Sequence, residues 1–110
     1  MYLFGYNFGM NTILRTEIFD KWLTNLKDAR GKARIIERIR SAERGNFGDC
    51  EPVGKGISEM RIHYGPGYRV YFSRFGPVVY ILLSGGLKRN QKKDIAKAHE
   101  IARLLNEVEI

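Results

Sequence analysis

A single cysteine, Cys50, stands in this 110-residue chain, so no intramolecular disulfide can staple the fold. There is no CxxC pair and no His/Cys cluster at ligand spacing, which leaves no zinc motif, and neither a metal nor another cofactor is expected. No apolar run approaches the roughly 20 residues that cross a bilayer. The aromatic opening Met1 to Met10 lacks the basic flank and cleavage site of a signal peptide, so the expected location is cytoplasmic, with no membrane partner. Repeats and low-complexity segments are missing too. What is left is a length suited to one domain with one modest core. Residues 1–9 have no clear period and end at a second methionine, Met10. They read as a leader, non-native or disordered, before a single domain over 10–110.

The most informative absence is that of acid. Between Glu59 and Asp94 there is neither Asp nor Glu, while Arg61, Arg69, Arg74, Lys88, Arg89, Lys92 and Lys93 all fall in that interval. Those 7 basic residues, taken from 19, leave 12 to balance the 12 acids elsewhere, so the whole formal charge of +7 belongs to one stretch. Such a stretch sets up a positive field that concentrates phosphates.

The apolar pattern predicts an α+β domain. Asn11 to Arg15 suits a short strand, and Thr16 suits the N-cap of a helix whose apolar stripe is Ile18, Phe19, Trp22, Leu23 and Leu26. Trp22 lies in that stripe and reads as core. After Asp28 to Gly31 a second helix runs to about Arg44, with Ala33, Ile35, Ile36 and Ile39 inward, giving an αα-hairpin. The glycine-rich stretch from Gly45 to Gly56 is a loop or a short edge strand, and Cys50 within it has no neighbouring base to activate it. Three strands come next, Ile57–Tyr64, Tyr68–Arg74 and Val78–Ser84, forming an antiparallel meander. The last is apolar on both faces and should be central. A helix from about Asn90 to Glu107 closes the chain, with His99 on its surface.

Register decides which side chains meet, because a one-residue slip turns a strand over. A three-residue loop Gly65-Pro66-Gly67 sets Arg61 opposite Tyr71, His63 opposite Arg69 and Glu59 opposite Ser73. Met60, Ile62, Val70 and Phe72 then share the other face. The expected result is a cluster of Arg61, His63, Arg69 and Tyr71 on one polar face, whose two guanidiniums repel unless an anion lies between them. Lys88 and Arg89 come after the third strand, and Lys92 and Lys93 fall in the first turn of the closing helix.

The run Gly56-Ile-Ser-Glu-Met-Arg61-Ile-His-Tyr-Gly-Pro-Gly-Tyr-Arg69-Val-Tyr-Phe72, with Leu82-Leu-Ser-Gly-Gly-Leu-Lys88-Arg-Asn-Gln-Lys-Lys-Asp-Ile95 after it, resembles the RelE/ParE superfamily of toxins. It is most similar to the HigB-like branch of addiction module killer proteins, over roughly Met10 to Leu105. The resemblance implies the order β-α-α-β-β-β(-β)-α, an N-terminal helical hairpin on a curved antiparallel sheet with a C-terminal helix. It also implies a type II toxin that cleaves mRNA on the ribosome, inhibits translation and is silenced by a cognate helix-turn-helix antitoxin. Arg69 matches a motif arginine on the scissile phosphate, Arg61 lies near a basic position of the preceding strand, and Lys88 or Arg89 matches a basic position after the last. Several relatives carry a catalytic Tyr or His near the C-terminus; here that region is Leu104 to Ile110, with neither.

Metal-independent RNA cleavage needs a proton taken from the 2′-hydroxyl, charge neutralised at the phosphorane, and a proton given to the leaving oxygen. The expected endoribonuclease set is Arg69 and Arg61 at the phosphorane, Tyr71 or His63 as proton carriers, and Lys88, Arg89, Lys92, Lys93 and Arg74 along the substrate backbone. Two other classes fit the same residues: a ParE-like gyrase inhibitor, and a non-catalytic basic module gripping RNA or an acidic protein.

Overall fold

Thr16 fixes the start of the first helix. Its hydroxyl accepts from the backbone N–H of Phe19 at 3.0 Å and donates to the carbonyl of Leu83 at 2.8 Å, so one buried side chain caps the helix and ties it to the sheet. In the computed structural model, which describes residues 3–6 and 10–107 and only the backbone of 3–6 and 107, the elements succeed one another as strands, a helical hairpin, more strands and a closing helix. They are β1 (Leu3–Tyr6), β2 (Thr12–Thr16), α1 (Glu17–Thr24), α2 (Ala29–Glu43), β3 (Cys50–Gly54), β4 (Ile57–Ile62), β5 (Tyr68–Arg74), β6 (Val79–Leu87) and α3 (Gln91–Glu107), with a 3₁₀ turn at Lys88–Asn90 before α3. The leader expected over 1–9 lies outside the described residues except for Leu3–Tyr6, whose backbone pairs antiparallel with β2.

The fold is α+β, built on a six-stranded sheet in the order β1-β2-β6-β5-β4-β3. One expectation is corrected. The sheet is mixed, because β2 lies parallel to β6 while the other pairs are antiparallel. The chain leaves β2 through the hairpin and the meander before returning as β6, and a crossover of that length permits parallel pairing. β6 is central, as its two apolar faces require. On one face Ile13, Phe19, Leu23, Ile35, Met60, Val70, Phe72 and Leu82 pack with the hairpin. On the other, Ile57, Tyr71, Ile81 and Leu83 pack under Ala98, Ile101 and Leu105 of α3. Ala33, expected inward, is exposed, and Ala42 takes the buried place one helix face requires.

Asp28 caps α2 by accepting from Gly31 N–H at 3.0 Å, and its second oxygen accepts from the Tyr68 hydroxyl at 2.7 Å. A Cβ at Gly31 would press on both the Tyr68 ring and the Asp28 carboxylate, so glycine is what lets the hairpin reach β5. Arg38 ties α2 to the far end of β4, donating to the carbonyls of Arg61, Phe47 and Asp49.

The β4–β5 register differs from expectation by two residues. Arg61 faces Arg69, Glu59 faces Tyr71, and Ile62 faces Tyr68, so the loop spans 63–67 rather than three residues. Parity is unchanged, and Glu59, Arg61, Arg69 and Tyr71 do share a face. The wider loop is a result of its chemistry: Gly65 and Gly67 both take positive φ, at 55° and 83°, and Pro66 cannot donate to a ladder.

Candidate functional site at the end of the sheet

Glu59, on β4, is fully buried, and four side chains converge on it. Its Oε1 accepts from Arg69 at 2.5 Å and from Arg61 Nε at 3.1 Å, its Oε2 accepts from the Tyr71 hydroxyl at 3.1 Å, and Gln91 of α3 donates to both oxygens. The anion needed between the two guanidiniums is therefore a side chain of the protein itself. Arg61 also reaches Glu51 of β3 at 3.1 Å.

This geometry separates two residues expected to act together. The Arg69 side chain is 7% exposed and Tyr71 has no exposure, both lying beneath α3, whereas the Arg61 side chain is 28% exposed. Arg61 is the guanidinium a phosphodiester can touch. Burial, and then the charge of Glu59, push the Tyr71 phenol well above its ordinary range, so it holds its proton and serves as a fixed donor to the carboxylate. The sheet face expected to be polar and open is polar and covered, because Ala98, Ile101 and Leu105 need an apolar floor and lie over it.

His63 does not stand opposite Arg69. It lies past the end of β4, exposed, with Nε2 at 2.6 Å from Asp49 Oδ2. That hydrogen bond is the main cause holding the Asp49 carboxyl below its ordinary value. The Arg61 backbone N–H donates to the Asp49 carbonyl at 2.9 Å, so the His63–Asp49 pair sits beside Arg61 on the β3–β4 edge.

Lys88, Arg89, Lys92 and Lys93 are all exposed around the end of β6 and the start of α3. Lys88 N–H donates to the Gly67 carbonyl at 2.8 Å, which seats this rim on the β4–β5 loop. Arg74 is corrected out of the group. It lies at the opposite end of β5, about 16 Å along the strand from Arg69 at 3.3 Å per residue, and it donates to the carbonyls of Gly76 and Pro77. His99 also points away from this end, with Nε2 3.0 Å from the Val53 carbonyl.

Three residues of the cluster escaped the sequence reading: Glu59 as the central acceptor, Gln91 and Asp94. Asp94 lies below Gly86, where any Cβ would collide with its carboxylate, and burial raises its pKa against the pull of Lys97 and Lys93. Glu59 carried a signal, being two residues from Arg61 in a strand and hence on its face. Gln91 carried none. Among the described residues no group of His, Cys, Asp or Glu side chains is arranged to hold a metal ion, and no helix is long and apolar enough to cross a membrane.

An uncharacterized protein of Haemophilus influenzae is 48% identical over 93 residues, which cover 84% of this chain and 94% of that protein. The two chains belong to one family. No family model matches the chain, and no solved structure does.

Proposed function

We propose that the chain is a RelE/HigB-like toxin of a toxin–antitoxin pair that cuts mRNA on the ribosome, with Arg61 and His63 as the residues that meet the scissile group. The observation that carries this reading is the exposed His63–Asp49 pair beside the more exposed of two clustered arginines. Asp49 orients the imidazole, leaving Nδ1 to take the 2′-hydroxyl proton and, as the imidazolium, to give it up to the departing 5′-oxygen directly or through water, and Arg61, gripped by Glu59 and Glu51, offers its guanidinium to the developing phosphorane. Arg69 and Tyr71 hold Glu59, and through it Arg61; they are positioning residues. Lys88, Arg89, Lys92 and Lys93 attract the substrate backbone and the ribosome. A helical hairpin on one face of the sheet and a closing helix on the other support this reading, and the partner it entails is a cognate helix-turn-helix antitoxin.

The test is induction in cells, with mapping of mRNA 5′ ends. Arg61→Ala and His63→Gln are expected to abolish codon-associated cuts, while Tyr71→Phe, which keeps the ring and loses one of the donors that hold Glu59, reduces them without abolishing them. Undiminished cutting by His63→Gln would remove the proton carrier.

One observation favours a second reading, a non-catalytic module binding RNA. Arg61 and Arg69 contribute two positive charges and Glu59 and Glu51 two negative, so the cluster sums to zero and the attraction resides in the rim. Growth arrest without any new 5′ ends would select it.

A further inference from the structure

On the hairpin side of the same sheet end, two adjoining cavities of about 190 and 350 Å³ share Arg34, Glu37 and Tyr64. Arg38, Ile62 and His63 line the first, and Arg30 and Ala33 the second. The groove thus begins at the histidine of the proposed site and runs out along α2. Its floor is a stacked pair, the Arg34 guanidinium lying 4.8 Å from the centre of the Tyr64 ring. Arg38 is committed to three backbone carbonyls, but Arg30 and Arg34 enter no ion pair among the described residues, and Glu37 is the one acid in the lining. The loop backbone ties the groove's Tyr64 to the cationic rim: Tyr64 accepts from Gly67 N–H through its carbonyl at 2.9 Å, and Gly67 in turn accepts from Lys88.

A guanidinium held over an aromatic ring, with a second arginine, Arg30, in the same lining, suits a base with a phosphate beside it, since the outer plane of the guanidinium can stack on any base. An acidic peptide would use the cations and gain little from the ring. We propose that this groove is a single-stranded RNA subsite, in which one nucleotide flanking the scissile phosphate stacks on the guanidinium of the Arg34–Tyr64 pair while Arg30 and the edge of Arg34 bind its neighbouring phosphates. This rests on the reading of the chain as an RNA-acting protein and names where its substrate extends.

The test is fluorescence anisotropy of the full chain with unstructured RNA oligonucleotides of roughly four and roughly twelve nucleotides, at several salt concentrations. Tyr64→Leu is expected to weaken the longer RNA about tenfold with the salt slope unchanged, while Tyr64→Phe, which keeps a stacking ring, binds as wild type. Arg30→Glu with Arg34→Glu should flatten the slope by about 1.4, at 0.7 per phosphate for single strands. Folding of each variant is checked by circular dichroism. If Tyr64→Leu binds the longer RNA as wild type does, the subsite is overturned, and sensitivity to the arginines alone would mark a general anion surface instead. Failure of the wider reading looks different: wild type then binds neither RNA, and Lys92→Glu with Lys93→Glu changes nothing.

Discussion

Glu59→Leu removes a carboxylate with no solvent exposure and leaves its partners in place. Arg69 then keeps a guanidinium that is 7% exposed and has lost its counter-ion, and the buried Tyr71 hydroxyl loses its acceptor. Stranding one member of a buried pair costs about 3–5 kcal/mol. Arg61 contributes less to the loss, since its side chain is 28% exposed and Glu51 still holds it. Against a total stability of about 5–15 kcal/mol, the variant should melt about 12–20 °C lower, at roughly 4 °C per kcal/mol.

The same reasoning requires that a second substitution restore much of the loss. In Glu59→Leu with Arg69→Met the uncompensated charge is gone and apolar groups fill the space under α3, so the double variant should be more stable than Glu59→Leu alone by about 2 kcal/mol or more. Urea denaturation monitored by circular dichroism, and by the fluorescence of the only tryptophan, Trp22, reads both values; its ring packs 5.8 Å from that of Phe19, so it reports the core. A Glu59→Leu protein within about 1 kcal/mol of wild type, or a double variant as unstable as the sum of the two singles, would refute the claim that Glu59 is the counter-ion of a buried charge.

Gly86→Ala forces a Cβ into the Asp94 carboxylate and Gly85→Ala forces one into the Trp22 ring, so each should lose about 1–3 kcal/mol in the same denaturation assay. The Asp28 carboxyl is held below its ordinary value, chiefly by the Gly31 N–H and then by the Tyr68 hydroxyl. It therefore stabilises the fold above the unfolded value of 3.8, and that contribution is lost as the pH falls through the lower folded value; Asp28→Asn should flatten this acid limb of a stability–pH curve. The Tyr68 phenol is pushed up to about 12, first by burial and then by Asp28. Its contribution is complete below pH 10 and is lost as pH rises through 12, so ultraviolet titration should show a tyrosine ionising near 12, before the still later Tyr71, and Tyr68→Phe should remove that step.

The helices and the central strand were legible in the sequence because each depends on a local signal: Thr16 as a cap, a stripe at helical spacing in α1, and the doubly apolar Val79–Leu83 segment of β6; the cap at Asp28 was not, since Asp28 to Gly31 read as a break and α2 in fact begins at Ala29. His63 lies past the end of β4 and leaves the Arg61 face, but that Arg69 and Tyr71 share that face was legible too, since parity survives a shift of two. The pairing partner was not. Polarity matching cannot tell a three-residue loop from the 63–67 loop, because both place charged residues opposite charged or aromatic ones on the same face. Burial of that face was equally hidden: the apolar stripe of α3 says that the helix covers something, and only the crossover order of the strands says what. β3, read as a loop or an edge strand, fits the edge because Pro52 is tolerated where one side of the ladder has no partner.

The acid-free interval ends at Glu59 and Asp94, and both carboxylates fold back under the start of α3. The charge asymmetry of the sequence is thus not the asymmetry of the surface. Arg61 and Arg69 balance against Glu59 and Glu51, which makes them a directional hydrogen-bonding centre with little long-range field, whereas Lys88, Arg89, Lys92 and Lys93 are exposed on the rim and enter no ion pair within 4.0 Å among the described residues. Attraction and alignment are therefore assigned to different residues. Reversing Lys92 and Lys93 should slow capture of a polyanion and reduce its salt dependence, while altering Arg61 should leave capture nearly unchanged and abolish cleavage of the captured strand. If both changes act on the association rate alike, the neutral centre does not exist as described.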